Sequence, residues 1–145
     1  MGNRNIQDEK FIKMISRLSV KQKIFALEKD SENPTIIEKY SKICVFDCRP
    51  WKNAMGNKLV GKGSLSVKNY DLNARHFGNI DNIHEMRGCH QAVMQGFEKG
   101  EGLGAIASWY GHVKKIIDGA IKCAGWLSKG MHVVVNCSDG WDRTP

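Results

Sequence analysis

Near the end of this 145-residue chain, Cys137 and Arg143 are separated by Ser138, Asp139, Gly140, Trp141 and Asp142, and Thr144 follows. The chemistry open to such a run is phosphoryl transfer. Five residues between a thiol and a guanidinium can curl into a loop whose backbone N–H groups converge on one phosphate. The sulfur then lies beneath phosphorus and the guanidinium spans two oxygens. Gly140 permits a positive φ or a close backbone approach. A helix starting after Arg143 would add a partial positive charge that favours both a bound phosphate and a thiolate at Cys137. As thiolate, Cys137 would attack phosphorus to form a phosphocysteine, splitting one displacement into two. Asp142, beside Arg143, is placed to protonate the leaving oxygen and later to activate water, with Asp139 as the competing carboxylate. The plain alternatives are a buried cysteine at a strand end and carboxylates that only accept loop N–H groups.

Such a loop has to leave the end of a strand. Met131 to Asn136 is a short apolar run flanked by turns, the pattern of a central parallel strand. Before it, Trp109, Val113, Ile116, Ile117, Ala120, Ala124 and Leu127 recur at threes and fours, predicting a long helix with a core-facing stripe that ends at Lys129-Gly130. Further upstream the residues predict a helix from Glu85 to about Phe97, broken at Gly100-Glu101-Gly102, and a strand within His76–His84. Lys42 to Asp47, ended by Arg49-Pro50, suits a buried strand, and Trp51 to about Tyr70 reads as an irregular surface loop. Phe11, Ile15 and Leu18, then Ile24, Phe25 and Leu27, predict one or two helices, followed by a connection at Asp30–Pro34. The expected fold class is α/β, a central sheet flanked by helices with the phosphate-binding loop after the last strand.

Composition narrows the partner. With 22 Lys+Arg against 15 Asp+Glu the formal charge is +7, which favours an anionic partner such as nucleic acid, an anionic membrane surface or a phosphorylated substrate. The lysines are scattered and no aromatic-basic module is present, so nucleic-acid binding is not expected. No apolar run approaches the ~20 residues needed to cross a bilayer. The polar start, Met1 to Lys10, lacks a secretory-signal pattern, and a cytosolic address is expected. Five cysteines without a Cys-x-x-Cys pair argue against a disulfide framework or a zinc ribbon. The spacing of His84, Cys89 and His90 matches no zinc set, so neither metal nor cofactor is expected. Gly56-x4-Gly61-Lys62 approaches a nucleotide-binding loop, but Gly63 stands at the Ser/Thr position.

The loop, Cys-Ser-Asp-Gly-Trp-Asp-Arg-Thr, resembles the signature of the myotubularin-related lipid phosphatases, within the wider cysteine-dependent phosphatase superfamily. So do Phe46–Pro50, Asn53–Asn57, Gly61–Gly63, Ile80–Arg87 and Ser108-Trp109, in the same order, so that the resemblance covers about Asp8 to Thr144 apart from an insertion near residues 20–40. It implies removal of the 3-phosphate from phosphatidylinositol 3-phosphate and the 3,5-bisphosphate, at the cytoplasmic face of endosomal membranes, and a dimer partner within the family. It also implies that Asn57, Asn82 and Ile83 border the inositol headgroup with Ser138–Arg143, and that the in-loop Asp142 is the acid. Asparagine can donate to phosphate and accept from ring hydroxyls, although a turn asparagine is the plain alternative. Asn136 stands where the family pattern has histidine, and Gly88-Cys89-His90 where it has an acidic and then a small residue. The chain stops at Pro145, so residues 1–145 read as a partial catalytic domain, expected to be inactive or nearly so by itself. Two other readings follow from the same residues: a non-catalytic interaction module derived from a phosphatase, and a protein tyrosine or dual-specificity phosphatase. Retention of both Cys137 and Arg143 favours the lipid phosphatase over the first of these.

Overall fold

The computed structural model describes residues 5–26, 43–59, 63–70, 72–100 and 102–145. In chain order its elements are α1 (Ile6–Ala26), β1 (Ile43–Asp47), α2 (Trp51–Leu59), β2 (Leu72–Phe77), α3 (Ile83–Lys99), α4 (Leu103–Ser128) and β3 (His132–Asn136). The three strands form a parallel sheet in the order β2-β1-β3. Every residue of β1 is buried, as its apolar run predicts for a parallel strand covered on both faces. Ile43 and Val45 pack with Leu72 on one face, joined by Ile12 of α1, Leu65, Tyr70 and Val134. Phe46, Cys48, Ile80 and Cys137 cluster on the other, against Cys123 and Trp126 of α4. The residue expected to do chemistry is thus part of the second core.

Phe46 is held tightly. Its ring stacks on His76 with centroids 5.6 Å apart, and a Cβ built on Gly78 or Gly119 would fall 2.7 or 2.6 Å from it. Glycine at these two positions lets the β2 exit and α4 close onto the ring. At the C-terminal end of β1, Asp47 and Arg49 form a buried two-point ion pair, Nε to Oδ1 at 2.9 Å and Nη2 to Oδ2 at 2.7 Å. The pair ends the strand inside the protein without leaving either charge unmatched.

Four expectations change. The surface loop from Trp51 is a helix as far as Leu59: Pro50 precedes it, its carbonyl accepts from the Ala54 N–H at 3.1 Å, and Ala54 is fully buried. The strand placed within His76–His84 lies earlier, at Leu72–Phe77, because Asn79 takes a positive φ of 53° and Asn82 already caps α3. Ladder-like bonds nonetheless continue beyond it, from Gly78 N–H to Asp47 O and from Ile80 N–H to Cys48 O. Among the described strands the central one is β1, not β3. Finally, the α4 stripe is not all core, since Ile117 and Leu127 stay 51 and 58% exposed. A helix of 26 residues, ~39 Å long, overruns strands of five residues that reach ~17 Å. The Asp30–Pro34 connection and most of the inserted stretch lie outside the described residues. Among the described residues no helix is long and apolar enough to cross a membrane.

Candidate active site

β3 delivers the loop. Parallel pairing of Asp47 with Asn136 ends the sheet, and the Cys48 N–H donates to the Asn136 carbonyl at 2.8 Å, so Cys137 starts the loop from a fixed edge. Gly140 adopts φ +79°, and its N–H turns back to donate to Cys137 Sγ at 3.1 Å. The expected positive φ and the inward amide are both present. On the same sulfur, burial pushes the thiol up, but the Thr144 hydroxyl and the N–H groups of Gly140, Asp139 and Arg143 outweigh it and hold the pKa below that of an ordinary thiol. Thr144 Oγ1 is buried and meets hydrogen-bond geometry with no described residue.

Cys137 and Asp142 face each other, the thiol donating to Oδ1 at 3.7 Å. Burial raises the Asp142 pKa, yet the N–H and charge of Arg143, the Ile83 N–H and the Cys137 thiol prevail and keep the carboxyl below its usual range. Arg143 lies with Nε 3.6 Å from Asp142 Oδ2 and donates from Nη2 to Ser138 Oγ at 3.4 Å. Its Nε and Nη1 are buried and, among the described residues, donate no hydrogen bond. Two unused donors on a buried guanidinium are costly unless an anion accepts them. Asp139 and Trp141 are exposed on the outer side of the loop.

The remaining expected site residues come from two helices. Asn57 of α2 donates from Nδ2 to Ser138 Oγ at 3.2 Å, tying that helix to the loop. Asn82 caps α3, its Oδ1 accepting from the N–H groups of His84 and Glu85 at 2.9 and 3.1 Å. Its carbonyl is thereby committed, leaving the amide nitrogen for any ligand. Ile83, the first residue of α3, presents its N–H toward Asp142. Asn136, in the histidine position, donates weakly to the Cys137 carbonyl at 3.4 Å and leaves Oδ1 buried without a hydrogen bond from any described residue. His84, Cys89 and His90 do not converge: the His90 ring meets Trp109 edge-on and Cys89 Sγ lies 3.9 Å from the Ala105 carbonyl.

Three features went unread in the sequence. Thr144 has no signal beyond its place after Arg143. The Asp47–Arg49 pair was visible only as two charges ending an apolar strand. The cap is written as Asn82-x-x-Glu85, a helix-start pattern.

The myotubularin-like phosphatase domain family matches residues 1–145. The chain is 30% identical to phosphatidylinositol-3,5-bisphosphate 3-phosphatase MTMR6 of Caenorhabditis elegans, over 97% of this chain and 19% of the relative. It is 34% identical to myotubularin of Xenopus tropicalis, over 99% of this chain and 22% of the relative. With phosphatidylinositol-3-phosphate phosphatase MTMR7 of Mus musculus the identity is 39%, over 70% of this chain and 17% of the relative. The chain thus spans about a fifth of the length of the curated relatives it matches. A match along its whole length, with a thiol, a carboxyl and a guanidinium gathered in one loop, means that the chain belongs to the myotubularin-like phosphatase domain family.

Proposed function

We propose that this chain carries the catalytic loop of a phosphoinositide 3-phosphatase acting on phosphatidylinositol 3-phosphate and the 3,5-bisphosphate. The observation that carries the reading is the buried Arg143 guanidinium with two donors unused, set beside a thiol of lowered pKa. The names of the related MTMR6 and MTMR7 enzymes supply the lipid class.

In this reading one proton moves along the Cys137–Asp142 contact, so that thiolate and carboxylic acid arise together. The sulfur attacks phosphorus while the bond to the inositol oxygen breaks, and Asp142 gives that oxygen its proton. Arg143 and the loop N–H groups take the charge that grows on the phosphoryl oxygens. Asp142, again a carboxylate, then draws a proton from water, which attacks the phosphocysteine and releases inorganic phosphate and the thiolate. No step uses a metal or cofactor. Asn57 and the amide nitrogen of Asn82 stand at the headgroup side, and Asp139 is left outside the chemistry. The +7 charge suits work at an anionic, cytoplasmic membrane surface. Residues 1–145 are the central part of a larger catalytic domain in this reading, which is why the full-length protein is the one to assay.

Phosphate release from vesicles holding phosphatidylinositol 3-phosphate tests it. Cys137→Ser is expected to lower kcat/KM on the order of 1000-fold or more, and a phosphotyrosine peptide is expected to be the poorer substrate. Wild-type rates in the serine variant, or a preference for the peptide, refute the reading.

A further inference from the structure

Between the end of β2 and the start of α3, four consecutive residues are each tied to a different part of the site. Ile80 is buried against Cys137, and its N–H donates to the Cys48 carbonyl at 2.9 Å. Asp81 Oδ2 accepts from Lys115 Nζ of α4 at 2.7 Å and lies 3.2 Å from His112 Nδ1, one turn earlier on the same helix. Asn82 caps α3. Ile83 opens it, beside Asp142.

We propose that Asp81, held from α4 by Lys115 with the His112 ring beside it, is a positioning residue for Asp142, because it sets where α3 begins. It touches no reacting atom, and the proposal deepens the phosphatase reading, on which the role of Asp142 rests. The side chains of Asp81 and Lys115 are 29 and 40% exposed, and ion pairs this open contribute little to stability. The pair is fastened one residue before a helix cap and two before an N–H that faces the acid, so the little it contributes falls on the placement of that N–H. Asp142 is acted on by Arg143 and Cys137 from its own loop and by the Ile83 N–H from α3. If α3 drifts, the N–H support weakens and burial gains, so the carboxyl pKa rises. Removing the negative charge of Asp81 would by itself lower that pKa. The sign therefore separates lost placement from lost charge.

The test is a carboxyl-carbon NMR titration of Asp142 in the full-length protein and its variants. Asp81→Leu is expected to raise the midpoint by about half a unit or more, the scale of one weakened hydrogen bond, and Asp81→Glu to restore most of it. If the leucine variant does not fold, Asp81→Asn, which keeps the shape and loses the ion pair, is expected to move the midpoint the same way. Kinetics supply the second readout. An aryl phosphate with a good leaving group hardly needs the acid, so the ratio of kcat/KM on phosphatidylinositol 3-phosphate to that on the aryl ester is expected to fall about threefold in the folded variant. A midpoint that falls or stays put, or an unchanged ratio, overturns the proposal. Asp142→Asn tells the two failures apart. If that variant keeps the wild-type ratio, the acid role in the phosphatase reading is wrong. If it loses the ratio while Asp81→Leu keeps it, only the positioning role is wrong.

Discussion

Alanine at Gly119 and alanine at Gly125 are the same change in the same helix, and the structure expects opposite outcomes. A Cβ at Gly125 meets nothing within 4 Å, whereas one at Gly119 would lie 2.6 Å from Phe46 Cζ and 3.1 Å from Cε1. Ordinary carbon contacts begin near 3.5 Å, so the ring would have to recede by roughly 0.9 Å. It has nowhere to go. The same Cε1–Cζ edge already rests on Gly78, where a Cβ would sit 2.7 Å away, and His76 stacks on the ring's face. Overpacking of this kind costs about 1–3 kcal/mol, partly offset by about 1 kcal/mol of improved helix propensity. Gly119→Ala should therefore lose up to about 2 kcal/mol, while Gly125→Ala gains up to about 1 kcal/mol. With a urea m-value of about 1–3 kcal/mol/M, their midpoints should separate by roughly half a molar or more. Urea unfolding followed by tryptophan fluorescence, at matched m-values, measures the separation. Coincident midpoints would show that Phe46 is free to move and that the packing argument is wrong.

Two further outcomes follow from the charges around the loop. Iodoacetamide at neutral pH should label Cys137 well ahead of Cys48, since the first thiol is held low by its loop donors and the second is pushed up to about 11, chiefly by burial. Because rate follows thiolate, labelling of Cys137 should rise with pH through its lowered pKa and level off below the ordinary thiol range. Peptide mass spectrometry showing equal labelling, or a Cys137 rate still climbing above that range, contradicts this. Arg49→Met should cost about 3–5 kcal/mol by leaving the Asp47 carboxylate buried and unmatched. Asp47→Leu in the same chain should recover most of the loss, and a double-mutant cycle by urea unfolding that finds no coupling refutes the pairing.

What could be read beforehand was set by local chemistry. The loop was legible because a thiol, a glycine and a guanidinium at fixed spacing constrain one another within eight residues, and Gly140 took the expected φ of +79°. β1 was legible from its unbroken apolar run, and α4 from seven apolar positions on one face. Elements defined by tertiary contact were not. α2 carries a weak apolar pattern and an inner glycine, and it is held by the burial of Ala54 and the Asn57–Ser138 contact. Asn82 was noticed only through resemblance. Its structural task is to cap α3, a backbone role that the Asn-x-x-Glu spacing spells out. The clamp on Asp81 joins residues more than thirty positions apart, which no local pattern could have revealed.

The strand order β2-β1-β3 also has a consequence in time. β1 pairs with β2 soon after it in sequence, but Ile43 meets His132 only across more than half of the chain. Pairings of such long separation close slowly, because much chain entropy is lost before contacts repay it. As the polypeptide leaves the ribosome, one edge of β1 must wait until β3 is made, open to pairing with a neighbouring chain. The Cys137–Arg143 loop takes shape only when that edge is filled. The shape of the Cys137–Arg143 loop and the closing of this open edge are therefore gained in a single late event, the docking of β3.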